Sequence, residues 1–103
     1  MSSQIENSAA RGAVFIQSQA QVSADLAGEA AILQTESGLY FSLSEVGARI
    51  WQLLIDPCRA EEISVRIEAE YEVEPAVCER DVANLLADLL KNGLVQIRVE
   101  THA

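Results

Sequence analysis

The sequence predicts an α+β domain, because its two halves carry different hydrophobic periodicities. Residues 39–43, in the first half, alternate apolar and polar side chains, which is typical of a strand with one buried face. In the second half, apolar residues recur three and four positions apart, as in amphipathic helices. A length of 103 residues suits one such domain. We therefore expect an N-terminal β-hairpin or three-stranded sheet followed by three helices.

Turn residues divide the first half into strand candidates. A β-like stretch begins at Val14 and extends weakly to Val22, and residues 29–35 follow the turn chemistry of residues 25–28. Residues 36–38 end in a glycine and predict a three-residue hairpin loop. The strand over residues 39–43 carries Leu39, Phe41 and Leu43 on one face, with Tyr40 and Ser42 on the other.

Three helices account for most of the second half. Ser44 is expected to cap the first, which includes Trp51 as a core residue and stops at Asp56-Pro57. A second helix is expected over residues 60–71. The third opens at Pro75 and ends at Gly93.

The chain ends are expected to lie outside the packed domain, apart from one strand. Residues 94–99 alternate again and predict a short closing strand, whose partner the sequence does not identify. Residues 1–13 and 100–103 are interpreted as flexible tails around a domain that spans residues 14–99.

The charge of the chain argues against nucleic acid and membrane partners. Sixteen Asp and Glu residues oppose seven Lys and Arg residues, for a net charge of −9. Nucleic acids and anionic membranes are bound by basic side chains, so neither is expected here. A sheet followed by three helices is also the outline of a winged helix-turn-helix, so we expect a winged-helix-like arrangement. However, nine acidic and three basic residues lie between Asp56 and Asp81, so the third helix is not expected to enter DNA.

Residues suited to catalysis or metal binding are scarce. His102 is the sole histidine and lies one residue from the end of the chain, where a general base cannot be preorganised. Zinc needs about four nitrogen or sulfur ligands, whereas Cys58, Cys78 and His102 offer three without finger spacing. We therefore expect no catalytic residue, no metal and no cofactor, and we interpret both cysteines as buried thiols.

The expected location is cytoplasmic. No apolar run approaches the ~18 residues that a membrane span needs. The first fifteen residues contain Glu6 and Arg11 and no apolar block, so they do not resemble a signal peptide.

A series of short motifs resembles the family of pyrroloquinoline quinone biosynthesis protein D, the PqqD-like proteins. The series consists of Gly38, Leu43-Ser44, Gly47 and Ile50-Trp51. The segment from Arg80 to Val95 is similar to the family's third helix and its exit, so the resemblance covers roughly residues 14 to 98. Ser44 replaces the usual Asn but keeps an oxygen suited to capping.

The resemblance implies a fold and a function. Family members recognise precursor peptides of ribosomally made, post-translationally modified products. The strand over residues 39–43 lacks the Pro-Glu dipeptide associated with the quinone-pathway members. It looks closer to the stand-alone leader-binding subunits of lasso-peptide systems. We therefore expect a non-catalytic protein that binds a leader peptide and presents it to a modifying enzyme or leader protease.

The family's binding mode is β-strand addition beside the third helix, which indicates a set of candidate site residues. At about 100° per residue, one flank of that helix lies beside Leu85, and the opposite flank carries Glu79, Ala83 and Leu90. We favour the flank beside Leu85, where two Asp side chains would pair with basic leader residues. The expected peptide-binding residues are Leu39, Tyr40, Phe41, Ser42 and Leu43 from the strand, and Val77, Asp81, Asn84, Leu85 and Asp88 from the helix.

Two other functions remain open at the level of sequence. A degenerate winged-helix adaptor or dimerisation module would bury the exposed strand edge in a homodimer and bind no peptide. A transcription factor would instead show salt-dependent binding to DNA.

Overall fold

The computed structural model describes residues 13–99. Five strands and three helices make up this part of the chain. In order they are β1 (Ala13–Gln17), β2 (Gln21–Leu26), β3 (Glu29–Gln34), β4 (Tyr40–Ser44), α1 (Val46–Leu53), α2 (Ala60–Glu70), α3 (Pro75–Lys91) and β5 (Val95–Val99). The α+β class, with a three-stranded sheet followed by three helices, is confirmed.

Strands β2, β3 and β4 form an antiparallel sheet in that order. Ala27 and Gly28 form the β2–β3 turn with φ of 51° and 86°, the left-handed pair that a tight hairpin turn needs. Because β2 continues to Leu26, this turn is shorter than the predicted residues 25–28. Gly38 closes the β3–β4 hairpin with φ of 75°, and its N–H donates to the carbonyl of Gln34 at 2.8 Å. The predicted hairpin is confirmed, but its strands are separated by residues 35–39 rather than by the three predicted residues 36–38.

The predicted closing strand also exists, and its partner is β1. The two strands pair antiparallel, with Ala13 opposite Val99 and Gln17 opposite Val95. The β-like stretch predicted over residues 14–22 is therefore two strands rather than one. The Ser18 hydroxyl accepts the Ala20 N–H at 3.0 Å and so stabilises the turn that separates them.

The boundaries of the predicted tails change at one residue. Ala13 was assigned to the N-terminal tail, but it begins β1 and is fully buried. The rest of that tail, the C-terminal tail at 100–103 and His102 lie outside the described residues.

Helix boundaries follow the sequence closely except in α1, which starts later than predicted and ends at Leu53, before the predicted stop at Asp56-Pro57. Ser44 is the last residue of β4 and does not cap the helix. Glu45 occupies the N-cap position with φ of 53°, and no side chain caps α1. The chain reverses between β4 and α1 in this single residue, so the cap falls one residue later than predicted. The starts of α2 at Ala60 and of α3 at Pro75 are as expected.

The core lies between the helices and one face of each sheet. Trp51 is 2% exposed, which confirms it as a core residue. The other largest fully buried side chains are those of Ile32, Leu54, Ile63, Ile67, Leu94 and Val82. Within residues 13–99, no helix is both long and apolar enough to cross a membrane.

Candidate functional site

Strand β4 is an edge of the three-stranded sheet. One side pairs with β3, with Ala31 opposite Ser42 and Leu33 opposite Tyr40. Along its other side no strand pairs with β4 within residues 13–99. This edge carries neither a proline nor a charged side chain over residues 40–44, which are the usual protections of an exposed edge.

The hydrogen bonds at the two ends of the β3–β4 ladder determine which backbone groups point outward. Gln34 N–H donates to the carbonyl of Leu39 at 2.9 Å, and Glu45 N–H donates to the carbonyl of Gly28 at 3.2 Å. In an antiparallel ladder, hydrogen-bonded and non-hydrogen-bonded pairs alternate. The backbone groups directed at β3 are therefore those of Leu39, Phe41 and Leu43. Those directed at the open edge belong to Tyr40, Ser42 and Ser44.

The side chains of β4 divide as the alternation predicts, with one exception. Phe41 and Leu43 are half-buried and pack against the core, whereas Tyr40 is 76% exposed and Ser42 is exposed. Leu39 was expected on the buried face, but it precedes the strand and is 56% exposed. It belongs to the hairpin loop, so the alternation does not extend to it.

The buried side chain of Gln34 connects the β3–β4 loop to the end of α3. Its Oε1 accepts the N–H groups of Glu36 at 2.9 Å and Ser37 at 2.6 Å, and its Nε2 donates to the carbonyl of Gly93 at 3.5 Å. The start of β4 and the C-terminus of α3 therefore lie at the same end of the molecule. Sequence reasoning missed this residue, although its position two residues after the inward-facing Ile32 was a signal for burial.

The α3 residues of the candidate site are accessible, as a binding surface requires. Val77, Asp81, Asn84 and Asp88 are exposed, and Leu85 is half-buried against the core. Helix α3 packs on α2 and β5, whereas β4 packs on β3 and α1. That the α3 flank and the β4 edge line one groove stays a prediction.

The cysteines are unsuited to nucleophilic chemistry. Both are free thiols, as expected. The Cys78 Sγ is buried and donates to the carbonyl of Ser64 at 3.7 Å, and Cys58 is half-buried. Burial raises the pKa of both thiols, which keeps them protonated at neutral pH. Among the described residues, no three His, Cys, Asp or Glu side chains cluster in a way that could hold a metal ion.

Comparison with known proteins identifies the family. Residues 29–95 match the family model for coenzyme PQQ synthesis protein D (PqqD). A solved structure of TbiB1 in complex with the TbiA(β) leader peptide is 40% identical, with a TM-score of 0.73, and the match covers 85% of this chain and 98% of that one. A structure of lasso peptide synthetase B1 complexed with the leader peptide is 30% identical, with a TM-score of 0.71 and coverage of 80% and 96%. No curated protein matches the chain. With most of its described residues matched in this way, the chain belongs to the PqqD family.

Proposed function

We propose that this protein binds the leader segment of a ribosomally made precursor peptide by adding it as a strand to the open edge of β4. The observation that carries the proposal is the unprotected edge of β4. The two similar solved structures described above are both complexes with leader peptides, which supports it. An exposed strand edge is a template for a further strand. The leader is the strand that completes the sheet.

Backbone pairing supplies affinity in this proposal. The N–H and C=O groups of Tyr40, Ser42 and Ser44 form a ladder with the leader. Because these groups are present whatever the side chains, they contribute little to the choice of peptide.

Side chains determine which peptide is bound. Alternate leader residues lie on opposite faces of the extended sheet. One set lies on the core side of the sheet, where Phe41 and Leu43 are half-buried. We assign one wall of the groove on that side to a flank of α3, with Leu85 as the floor of the groove. This flank consists of Val77, Asp81, Asn84 and Asp88. Two carboxylates on this wall favour a leader with basic residues. The other set lies beside the exposed ring of Tyr40.

The role is one of presentation rather than catalysis. Neither thiol is an activated nucleophile, since burial raises the pKa of both. Holding the leader raises the effective concentration of the attached core peptide at a modifying enzyme or leader protease. The protein acts without a cofactor, in the cytoplasm where precursor peptides are made.

Calorimetric titration of this protein with the leader of a precursor peptide that is encoded beside its gene tests the proposal. Ser42→Pro removes an N–H that points to the open edge, so the β3–β4 ladder is retained and the variant folds. We expect its leader affinity to fall about tenfold or more, because proline removes a donor and obstructs pairing. Ser23→Pro, on the opposite edge strand β2, is the matched control and is expected to bind the leader normally.

Phe41→Pro is the destabilising counterpart, because the Phe41 N–H points at β3 and its loss breaks the sheet's own ladder. Unchanged leader affinity in a folded Ser42→Pro variant would rule out pairing at β4. A wild-type protein that binds no leader and dimerises through β4 would instead be an adaptor.

A further inference from the structure

The three-stranded sheet has a second open edge, along β2. Strand β2 pairs with β3 on one side, with Gln21 opposite Gln34 and Leu26 opposite Glu29. Thr35 N–H donates to the carbonyl of Ala20 at 3.0 Å, which sets the alternation of this ladder. The backbone groups directed away from β3 are therefore those of Gln21, Ser23 and Asp25. Within residues 13–99 no strand pairs with them.

A cleft of about 180 Å³ lies beside this edge. Strand residues form one side and the end of α1 with the following turn forms the other. Its lining residues are Gln17, Ser23, Asp25, Trp51, Gln52 and Ile55. The Gln17 side chain is fixed by donating from Nε2 to the carbonyl of Trp51 at 2.8 Å, and Ile55 is an exposed apolar wall at 61% exposure. The cleft is thus a partly rigid, mixed polar and apolar groove along a free strand edge.

The Gln21 side chain at the start of the same edge has an acceptor without a donor. Its Oε1 is buried and receives no hydrogen bond, while its Nε2 donates to the Oε1 of Gln17 at 3.4 Å. Native proteins leave few buried acceptors unpaired, so an unsatisfied one calls for a partner group.

Beside the same edge, on the face of the sheet opposite the cleft, β2 also carries exposed apolar side chains. Val22 and Leu26 are 63% and 61% exposed on the outer face of the sheet. Asp25 is the sole charged side chain of β2, and no cation pairs with it within residues 13–99. Two large exposed apolar side chains on an open edge promote aggregation of a protein that has no partner there, and they favour binding when a partner covers them.

We propose that the β2 edge and its cleft bind an extended, basic segment of the modifying enzyme to which the leader is presented. The charge of the chain argues for this occupant. A second copy of the protein would bring another net charge of −9, whereas a Lys or Arg on the docked segment pairs with Asp25. The proposal rests on the proposed function for the identity of the enzyme. It gives the sheet one edge for the leader and the opposite edge for the enzyme.

Two separate binding measurements test this division of the edges. The purified modifying enzyme encoded beside the precursor is titrated onto the immobilised protein, and leader affinity is measured separately by fluorescence anisotropy. The variants are Ser23→Pro, whose lost N–H points outward, and Asp25→Lys, which reverses the charge in the cleft. Each is expected to weaken enzyme binding about tenfold or more and to leave leader affinity within about twofold. Ser42→Pro is the matched control with the opposite expectation, and amide NMR spectra verify that each variant is folded.

The outcomes separate this inference from the proposed function. Enzyme binding that is absent in the wild type, or unchanged in both folded β2 variants, overturns the inference while leader binding still stands. A dimer that Ser23→Pro converts to a monomer assigns the edge to a second copy and also overturns it. Failure of the wild type to bind the leader contradicts the proposed function, whichever result the enzyme gives.

Discussion

The buried amide of Gln34 joins two loops that are far apart in the sequence. It accepts two N–H groups from the β3–β4 loop and donates to Gly93 beyond α3. The alternation of β3 predicts that position 34 points inward, as Ile32 does, but it does not reveal which groups a buried amide contacts. This residue positions β4 relative to α3, and so it contributes to the candidate site without being part of it.

Replacement of Gln34 by Ala should destabilise the fold by about 1–3 kcal/mol, because the N–H groups of Glu36 and Ser37 lose their acceptor. Urea unfolding followed by circular dichroism measures the change. Gln19→Ala, at an exposed position, is the matched control and should have little effect. Equal unfolding midpoints for the two variants would contradict the role assigned to Gln34.

The ion pair between Arg49 and Glu70 makes stability depend on pH. Arg49 donates from Nε to Glu70 Oε1 at 2.8 Å and from Nη2 to Oε2 at 3.0 Å, joining α1 to α2. These bonds hold the pKa of the Glu70 carboxyl below its ordinary value. Because the folded pKa is the lower one, the stabilisation is present above the unfolded pKa and is lost as pH falls through the folded pKa.

NMR titration of the Glu70 side-chain carboxyl measures this effect. We expect its pKa to return to the ordinary range in Arg49→Gln, and the acid-induced loss of stability at this site to disappear in Glu70→Gln. The same Glu70 pKa in wild type and Arg49→Gln would show that the pair has no role in the titration.

At the scale of elements, alternation and helical stripes were sufficient to predict β3, β4, α2, α3 and β5. They could not determine which backbone N–H and C=O groups of β4 point toward β3 and which point to the open edge. Side-chain alternation assigns Tyr40 and Ser42 to one face, but which N–H groups point to the open edge depends on the hydrogen-bonded register. That register is set by the hairpin loop around Gly38 and by the turn at Glu45. A strand-blocking proline could therefore be chosen correctly only with the structure, at Ser42 rather than Phe41.

The pairing of β1 with β5 was also beyond the sequence, for a related reason. The two strands come from opposite ends of the domain, and the sequence of a short alternating segment does not indicate the strand with which it pairs. The turn between β1 and β2 is held by a hydrogen bond from the Ala20 N–H to the Ser18 hydroxyl and by the bond from the Ser18 N–H to the Leu94 carbonyl. A weak β signal across residues 14–22 does not distinguish this arrangement from one long strand.

On α3, exchange of Asp81 and Asp88 for Lys tests the wall that we assign to the leader groove. The double variant should bind the leader about tenfold or more weakly, and the decrease should be smaller in high salt, because exposed charges are screened. Fluorescence anisotropy at two salt concentrations provides the measurement. The matched control is Glu72→Lys with Glu79→Lys, at exposed positions away from this flank, because it raises the net charge by the same amount. Leader affinity that is indifferent to both Asp changes and to salt would remove the electrostatic part of the proposal.

At the scale of the whole molecule, the three-stranded sheet has two open edges, and each of them can accept a further strand. The helices cover one face of the sheet and leave both edge strands accessible. Strand addition extends such a sheet without rearranging the core, so the protein can bind and release a peptide while it stays folded. A net charge of −9 favours basic peptides over nucleic acids as ligands, which agrees with the proposed pairing of the α3 carboxylates with a basic leader.

Amide hydrogen exchange of the protein, alone and saturated with its leader, tests the central claim most directly. In the free protein, the N–H groups of Phe41 and Leu43 should exchange slowly, because they bond to β3, and those of Tyr40, Ser42 and Ser44 should exchange fast. Leader binding should slow exchange at the latter three residues, because their N–H groups then donate hydrogen bonds to carbonyl groups of the added strand. Saturation with the leader that leaves exchange at these three amides unchanged would contradict strand addition at β4.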